Sequence, residues 1–522
     1  MISQQQITHI ILKLKDIELA FVDLFSGAGG TTTGVEHAEF NGKKIAKVIL
    51  CINHDKFAIE SHTGNHPDSI HLVEDVRAVK MDTLVPLITQ VRQAYPKLKL
   101  CLWASLECTN FSKAKGGQPR DADSRTLAWD LLRYIGTIKP ERIYIENVEE
   151  FMAWGPLDQT GRPVSKKAGE DYLKWIKAII DCGYKYEFRI INSADLGAYT
   201  ARKRYFGQFA QDGLDIKWPV QTHEKRNKKL SGGFKDWMAV KDVLDLNNHG
   251  QGVLTRKKPL SEKTLERILI GACKFVSPSD PQFFIKYHST GKNVLDLHGP
   301  ASSLTTKDRL ALIQTQFIDK QYSSGTKNSS VDVPAGAITT IPKMNLVSCQ
   351  PFLVNANSST APSKSLDEPC FTVTTGRTHF IINPQWFNRS AISVENPCPT
   401  IIARMDKAPL YVATAEQVQV VNVYVVESIT RPVQPVIQTK AGNLIYIMWT
   451  GDSVMTRALK LFMAQNGIVD IKMRMLEIEE LLRIQGFPDG YVLKGTKTSQ
   501  KKFIGNSVVP LVAERLIEAC VA

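Results

Sequence analysis

Between residues 17 and 209, short apolar runs alternate with amphipathic stretches, and this alternation limits the possible fold more than any other feature of the chain. Short apolar runs suit strands of a buried sheet, and amphipathic stretches between them suit crossover helices. The pattern predicts strands at Leu19–Asp23, Val48–Ile52, Leu98–Ala104 and Arg142–Glu146, with further strands at Lys185–Ile191 and Tyr205–Phe209. Helices are expected at Thr83–Ala94 and Ser124–Ile135. Such a chain builds an α/β domain around a mostly parallel sheet.

Ligands of α/β sheets bind outside the carboxyl ends of the strands, so the residues that follow each run carry most of the functional information. The first strand runs into Asp23-Leu-Phe-Ser-Gly-Ala-Gly-Gly30, then a helix with Gly34 inside it. Glycines let a backbone turn sharply and approach a ligand, and the helix start offers free N–H groups. The loop is not a G-x-G-x-x-G fingerprint, because Thr32 occupies the third glycine position. Asn53 and Asp55 follow the second strand, and Asp75 lies beyond them. These groups suit a ribose hydroxyl and an adenine amino group, although each taken singly reads equally well as an exposed turn residue. The third strand leads into Ser105-Leu-Glu-Cys-Thr-Asn-Phe-Ser112, and the next ends in Glu146-Asn-Val148. A cysteine and a carboxylate at one sheet edge suit attack on an electron-poor ring, with an acid to manage the ring nitrogen. Judged alone, Cys108 reads as a structural thiol.

From about residue 210 the texture changes. Phe284, Phe317, Phe352 and Phe387 recur at intervals of 33, 35 and 35 residues. Each precedes a polar stretch, a proline and a Thr-rich run: Leu304-Thr-Thr306, Ile338-Thr-Thr340, Val373-Thr-Thr375 and the degenerate Thr400-Ile-Ile402. Repeats of this length mark repeated supersecondary units, here strand-rich ones covering 281–412. After 470 helical spacing returns. A helix is expected over Met475–Ile484, closed by Gln485-Gly-Phe-Pro-Asp-Gly490. A terminal helix is expected over Val508–Cys520, opened by Gly505-Asn-Ser507, with Pro510 in its first turn.

The 522 residues exceed one ordinary core, and 65 Lys and Arg against 52 Asp and Glu leave a formal charge of +13. That excess fits a polyanion such as nucleic acid. The nine cysteines form no Cys-x-x-Cys pair and no Cys/His cluster at zinc-ligand spacing, so no metal is expected and the thiols read as reduced and buried. No leader-like start and no apolar run of membrane length occur, so the expectation is a soluble, cytoplasmic protein with no membrane partner.

The ordered set of motifs resembles the DNA cytosine-5 methyltransferase family. In the family's order stand the glycine loop, Asn53 to Ala58, Glu74-Asp-Val76, the Cys108 loop with Phe111-Ser112, and Glu146-Asn-Val148. Thr200-Ala-Arg-Lys-Arg204, Arg474-Met-Leu476, Gln485-Gly-Phe-Pro-Asp489 and Gly505-Asn-Ser-Val508 follow. The resemblance implies a Rossmann-like, S-adenosylmethionine-dependent catalytic domain at 17–209, completed by 471–522, and a second, strand-rich target-recognition domain at 210–470. It implies S-adenosyl-L-methionine as methyl donor, double-stranded DNA as substrate, and an extruded cytosine attacked at carbon 6 by Cys108. Glu146 would hold the ring's N3 and amino group, and Arg204, with Arg202 beside it, would contact the carbonyl oxygen. Phe25, Ser26, Gly27, Gly29, Gly30, Asn53, Asp55, Asp75, Val76, Asn506 and Ser507 are the implied donor contacts. The enzyme would act as a monomer, with a cognate restriction endonuclease as a functional rather than physical partner.

Two departures stand out. Glu107 occupies the family's usual proline position, and Asn53 replaces its ribose-binding glutamate, leaving Asp55 as an alternative. Pro369-Cys370, Pro397-Cys398 and Asn383-Pro-Gln-Trp386 look motif-like, but lie within the repeats without the required neighbours. Two rivals share the resemblance: a tRNA cytosine-5 methyltransferase, and a non-catalytic DNA-binding relative. The long stretch between Arg204 and Arg474 argues against the first, and intact Cys108, Glu146 and Arg204 against the second. Lys307, Arg309, Lys343, Arg377 and Arg404 in the repeats are candidate DNA contacts, or equally solvent-facing strand residues.

Overall fold

The computed structural model of the chain describes residues 2–106, 127–159, 164–165, 168–225, 233–245, 248, 251–275, 282–286, 294–295, 301–302, 310–317, 349–353, 364–365, 413–415, 423–439, 443–466 and 468–522. Two compact units form: Met1–Leu246 with Leu297–Arg309 and Leu476–Ala522, and Asn247–Asp296 with Leu310–Met475. The corresponding boundaries read from sequence texture lie at 210 and 470.

The first unit opens with α1 (Gln4–Lys13), whose start is fixed by a capping box between Ser3 and Gln6. Strands β1 (Leu19–Leu24), β2 (Ala46–Asn53), β3 (Ile70–Val73), β4 (Lys99–Ser105) and β5 (Arg142–Asn147) follow, then β6 (Tyr184–Asn192) and β7 (Lys203–Gln211). Helices α2 (Gly30–His37), α3 (Lys56–Asn65), α4 (Val85–Ala94), α5 (Leu131–Ile138) and α6 (Glu170–Ile180) connect them. They form one seven-stranded sheet in the order β3-β2-β1-β4-β5-β7-β6. The first five strands run parallel; β7 is antiparallel to both neighbours. The α/β expectation therefore holds; five of the six predicted strands lie within an observed one, and Leu98–Ala104 is offset by one residue from β4.

The two-residue period of each strand sorts the core into two layers. Ala20 and Val22 face a cluster completed by Ile7 and Ile10 of α1, Leu87 and Val91 of α4, Tyr134 of α5 and Trp175 of α6. Leu19 and Phe21 face the other cluster, with Val35 of α2. Trp103 and Tyr144, on adjacent strands of that second layer, stack at 5.4 Å.

The second unit carries α7 (Glu262–Phe275) and the antiparallel strands β8 (Gln282–Lys286) and β9 (Leu310–Phe317). β10 (Val423–Ser428), β11 (Val436–Gln438) and β12 (Leu444–Trp449) form a three-stranded sheet, followed by α8 (Val454–Gln465) and β13 (Ile468–Met475), which pairs with β9. Its core gathers Leu265, Ile268, Tyr446, Leu459, Met463 and Ile471. Phe284 and Phe317 lie on paired neighbouring strands, and Phe352 on the strand Cys349–Leu353. Phe387, the Thr-rich runs and the five candidate cations of the repeats lie outside the described residues, as do the Pro-Cys pairs and Asn383–Trp386.

The chain then returns to the first unit through α9 (Ile478–Gln485), α10 (Lys497–Asn506) and α11 (Pro510–Val521). Here the structure corrects two expectations. Met475 ends a strand rather than opening a helix, because β13 buries Ile468, Ile471 and Met473 against its sheet while a capping box at Glu477 and Glu480 starts α9. Gly505 and Asn506 close α10, begun by the Thr496 cap, and do not open α11; Pro510 occupies the first turn of α11, where a missing N–H costs nothing. Gly34 of α2 faces α11 so closely that a Cβ there would collide with the Pro510 carbonyl. Val512 and Leu516 of α11 complete the second core layer. No helix among the described residues is long and apolar enough to cross a membrane.

Candidate active site

The carboxyl ends of the five parallel strands come together in register. Leu24 lies beside Ile52 and Ala104, Asn53 beside Val73, and Ser105 beside Glu146. The loop after β1 is shaped by its backbone. Phe25 has a φ of 61°, a left-handed conformation that costs a non-glycine residue about 1 kcal/mol or more and persists where the surroundings impose it. Ser26 N–H donates to the Ile52 carbonyl at 3.2 Å, tying the loop to β2. Among the described residues a Cβ on Gly27 would meet nothing within 4 Å, whereas one on Gly29 would collide with the Tyr491 hydroxyl. One on Gly30 would collide with Ser507 Oγ and the Val508 carbonyl. The loop is thus open at Gly27 and closed by protein at Gly29 and Gly30. Open space over a backbone turn at a helix start is a cradle that fits a nucleoside-bearing ligand.

The polar residues beyond β2 and β3 are already engaged. Asp55 caps α3, its Oδ1 accepting from Phe57 N at 3.0 Å and Ala58 N at 3.3 Å; Oδ2 stands 3.8 Å from Lys502 Nζ. Asn53 Oδ1 accepts from Asp55 N at 2.9 Å. Asp75 receives Arg77 through its backbone N–H and guanidinium, the latter at 2.7 Å, and these hydrogen bonds hold its carboxyl below the usual range. Val76 is buried, and its carbonyl accepts from the Tyr134 hydroxyl at 2.6 Å and from Arg133. From the C-terminal segment, Asn506 is exposed, and Ser507 donates to the Val508 carbonyl at 2.8 Å.

Toward β5 the edge is built from charge. Glu146 is 5% exposed, and Arg204 Nε stands 3.3 Å from its Oε1. Arg204 gets there because β7 runs antiparallel to β5, pairing Phe206 with Glu146, so the start of β7 lies at the carboxyl end of β5. Burial raises the Glu146 carboxyl above its ordinary range, with Arg204 and Arg202 pulling the other way. Arg202, at 2% exposure, donates to the Gly505 carbonyl at 3.0 Å, joining the segment before β7 to α10. Cys108 and Glu107 lie outside the described residues; their segment leaves β4 at Ser105, the residue registered with Glu146.

Residues 19–332 and 399–522 match the C-5 cytosine-specific DNA methylase family. The chain belongs to that family. It is an S-adenosylmethionine-dependent enzyme that methylates carbon 5 of cytosine in DNA. This methylase is similar to the Type II methyltransferase M1.HphI of Haemophilus parahaemolyticus, 24% identical over 286 residues, which cover 53% of this chain and 70% of that protein. It is also similar to the Type II methyltransferase M.AquIA of Picosynechococcus, 22% identical over 44% of this chain and 88% of that protein. Among solved structures, the S. pombe Dnmt2 methyltransferase overlaps 96% of this chain and 98% of its own at 12% identity and a TM-score of 0.44.

Two features of this methylase escape a reading of the sequence. Tyr491, one residue past the Gly490 turn, donates to the Ala28 carbonyl at 2.6 Å and lies 3.2 Å from His66 Nε2, holding the glycine loop from below. An aromatic residue directly after the turn was the available signal. The second feature is a buried polar cluster beneath the same loop. Thr32 Oγ1 lies 2.9 Å from His62 Nε2 and 3.4 Å from Asp23 Oδ2; Cys51 Sγ lies 3.2 Å from His62 Nε2. Burial pushes the Asp23 carboxyl and the Cys51 thiol well up and His62 well down, and lowers His71 to about 4. No linear signal marks this cluster, because its members come from five different elements.

Proposed function

We propose that Cys108 is the nucleophile of this methylase and that the target is a cytosine drawn out of a specific duplex DNA sequence. As thiolate, Cys108 adds to carbon 6, which makes carbon 5 nucleophilic. Glu146, with its proton retained by burial, donates to ring N3 and accepts from the amino group, so charge developing on the ring is neutralised at its far edge. Arg204 steadies that carboxyl and reaches the ring carbonyl oxygen, while Arg202 positions the arginine strand against α10. S-adenosylmethionine, when bound, supplies an electrophilic methyl group to carbon 5. A base then removes the carbon-5 proton, and elimination returns the Cys108 thiolate.

The donor residues fall into two kinds. Phe25, Ser26, Gly27, Gly29 and Gly30 offer backbone, and Asn53, Asp55, Asp75, Val76, Asn506 and Ser507 surround it. Asp55 uses Oδ1 as a helix cap, so a ribose hydroxyl falls to its Oδ2 or to the Asn53 amide. The second unit, with the repeats, reads the DNA sequence. The enzyme works as a cytoplasmic monomer, its companion being a restriction endonuclease of the same specificity, and it carries no catalytic metal.

The observation that carries this reading is the buried Glu146–Arg204 pair, at the edge where the Cys108 segment leaves β4 beside an open glycine loop. A duplex carrying 5-fluorocytosine at the target position should trap a covalent adduct with the parent and labelled donor, because fluorine cannot leave as a proton. Absence of an adduct sinks the covalent route. Equal or faster labelling of tRNA than of duplex DNA would move the substrate assignment to RNA.

A further inference from the structure

Beneath the glycine loop, one β-α-β unit converges on a small set of soft and nitrogen donors. Cys51 on β2 and His71 on β3 are register partners on adjacent parallel strands, so their side chains share one face of the sheet. His62, on the connecting helix α3, lies between them, with Nε2 3.2 Å from Cys51 Sγ and Nδ1 2.9 Å from His71 Nε2. One donor atom from each residue falls within 4.8 Å of the others, a spacing that small side-chain rotations close onto a single ion. Cys51 and His62 are buried, and His71 is half-buried at the sheet's edge strand, which gives an ion an entry path.

A second, independent observation points to a cation. Asp23, the register partner of Cys51 on β1, is fully buried, and its Oδ1 has no hydrogen-bond partner among the described residues. No lysine or arginine among the described residues pairs with it; its Oδ2 meets only the Thr32 hydroxyl, at 3.4 Å. Ionising a buried, unpaired carboxyl is costly, and a nearby positive charge offsets that cost.

We propose that Cys51, His62 and His71 bind a divalent transition-metal ion of the zinc class. On binding, the Cys51 thiol and the Asp23 carboxyl give up their protons to solvent, and His62 ligates through one ring nitrogen, exchanging its hydrogen bond there for a metal–ligand bond. A water molecule completes a tetrahedral set. The ion's two positive charges are balanced by the Cys51 thiolate and the Asp23 carboxylate. The site is structural: it clamps β2, α3 and β3 together and, through Thr32, fixes the first turn of α2 below the donor loop.

The test uses the full chain, stripped with a chelator and titrated anaerobically with cobalt(II), then zinc(II). One equivalent of cobalt should bind and give the near-ultraviolet sulfur-to-cobalt charge-transfer band, and zinc should abolish it. Cys51→Ser should lose the band. His71→Gln should weaken uptake by more than the roughly 10–100-fold that loss of an outer-shell partner costs. No stoichiometric uptake by the parent overturns the proposal. So does a band that persists in Cys51→Ser, which would assign it to another thiol such as the exposed Cys182. Should far-UV circular dichroism show Cys51→Ser unfolded, His71→Gln decides, and unchanged cobalt affinity in that variant overturns the proposal as well. Neither readout involves methyl transfer, so the outcome is independent of the function proposed above.

Discussion

The two halves of the sheet edge solve different problems with different materials. Around β1 and β2 the site is made of backbone: a left-handed Phe25, an open Gly27, and glycines at 29 and 30 closed by Tyr491 and Ser507. Around β5 and β7 it is made of ionisable side chains held out of water, Glu146 and Arg204 with Arg202 behind them. A backbone site tolerates changes of charge and pH but not an added methyl group. A charge-built site tolerates small changes of shape but not the loss of a proton or its partner. In the proposed reaction this division suits the chemistry of each substrate, since a bound nucleoside needs a fitted surface and a reacting ring needs charge to be neutralised as it develops.

The comparison breaks most easily at its largest expected effect. Cys108→Ala should lower kcat by at least about 10⁴-fold while donor affinity, measured by calorimetry, stays within a factor of about two. An equal loss of donor binding would mean the two halves are not separable. Next in size, Glu146→Gln keeps the shape and the acceptor but has no proton to give. It should lower kcat by about 10²–10⁴-fold, again with donor affinity retained. A mere few-fold loss would leave Glu146 a positioning residue.

Smaller, and on the other half, Gly30→Ala should destabilise the chain by about 1–3 kcal/mol and weaken donor binding, since its Cβ has to displace Ser507 and the Val508 carbonyl. Gly34→Ala is the control: one helical turn on, its Cβ meets the Pro510 carbonyl instead. It should cost similar stability in thermal unfolding and spare donor affinity. Equal losses of affinity in both would show that the loop responds to α11 as a whole.

How much of this was legible beforehand follows the same division. The strands were readable because apolar runs such as Val48–Ile52 and Ile143–Ile145 are buried on both faces, and the polar residues at their ends marked the edge. The fate of Met475 was not readable, because an alternating apolar segment beside a capping box serves a strand end or a helix start, and only pairing with β9 decides. The reason for Gly30 was hidden too, since its contact lies more than 470 residues away in the chain. Arg202 carries no local sign that Gly505 would cover it. The cluster of Cys51, His62 and His71 is the extreme case: spacings of 11 and 9 residues match no ligand motif, and convergence depends on strand register.

The smallest effect is the most discriminating for the charge-built half, because it needs no catalysis. Burial raises the Glu146 carboxyl, with Arg204 and Arg202 opposing, so the folded protein holds that proton to higher pH than the unfolded chain does. A group raised in this way contributes stability that is fully present below its unfolded pKa and is lost as pH rises through its folded value. Glu146→Gln cannot titrate. The difference in unfolding free energy between parent and variant should therefore be constant at low pH. It should then fall, to the parent's disadvantage, from the ordinary carboxylate range upward, with a slope no steeper than about 1.4 kcal/mol per pH unit, the limit for one proton. Urea unfolding of both proteins across that range measures it. A flat difference would mean that the arginines match burial, and one that rises with pH that they outweigh it; in either case Glu146 is ionised at neutral pH and meets the cytosine ring as an acceptor only.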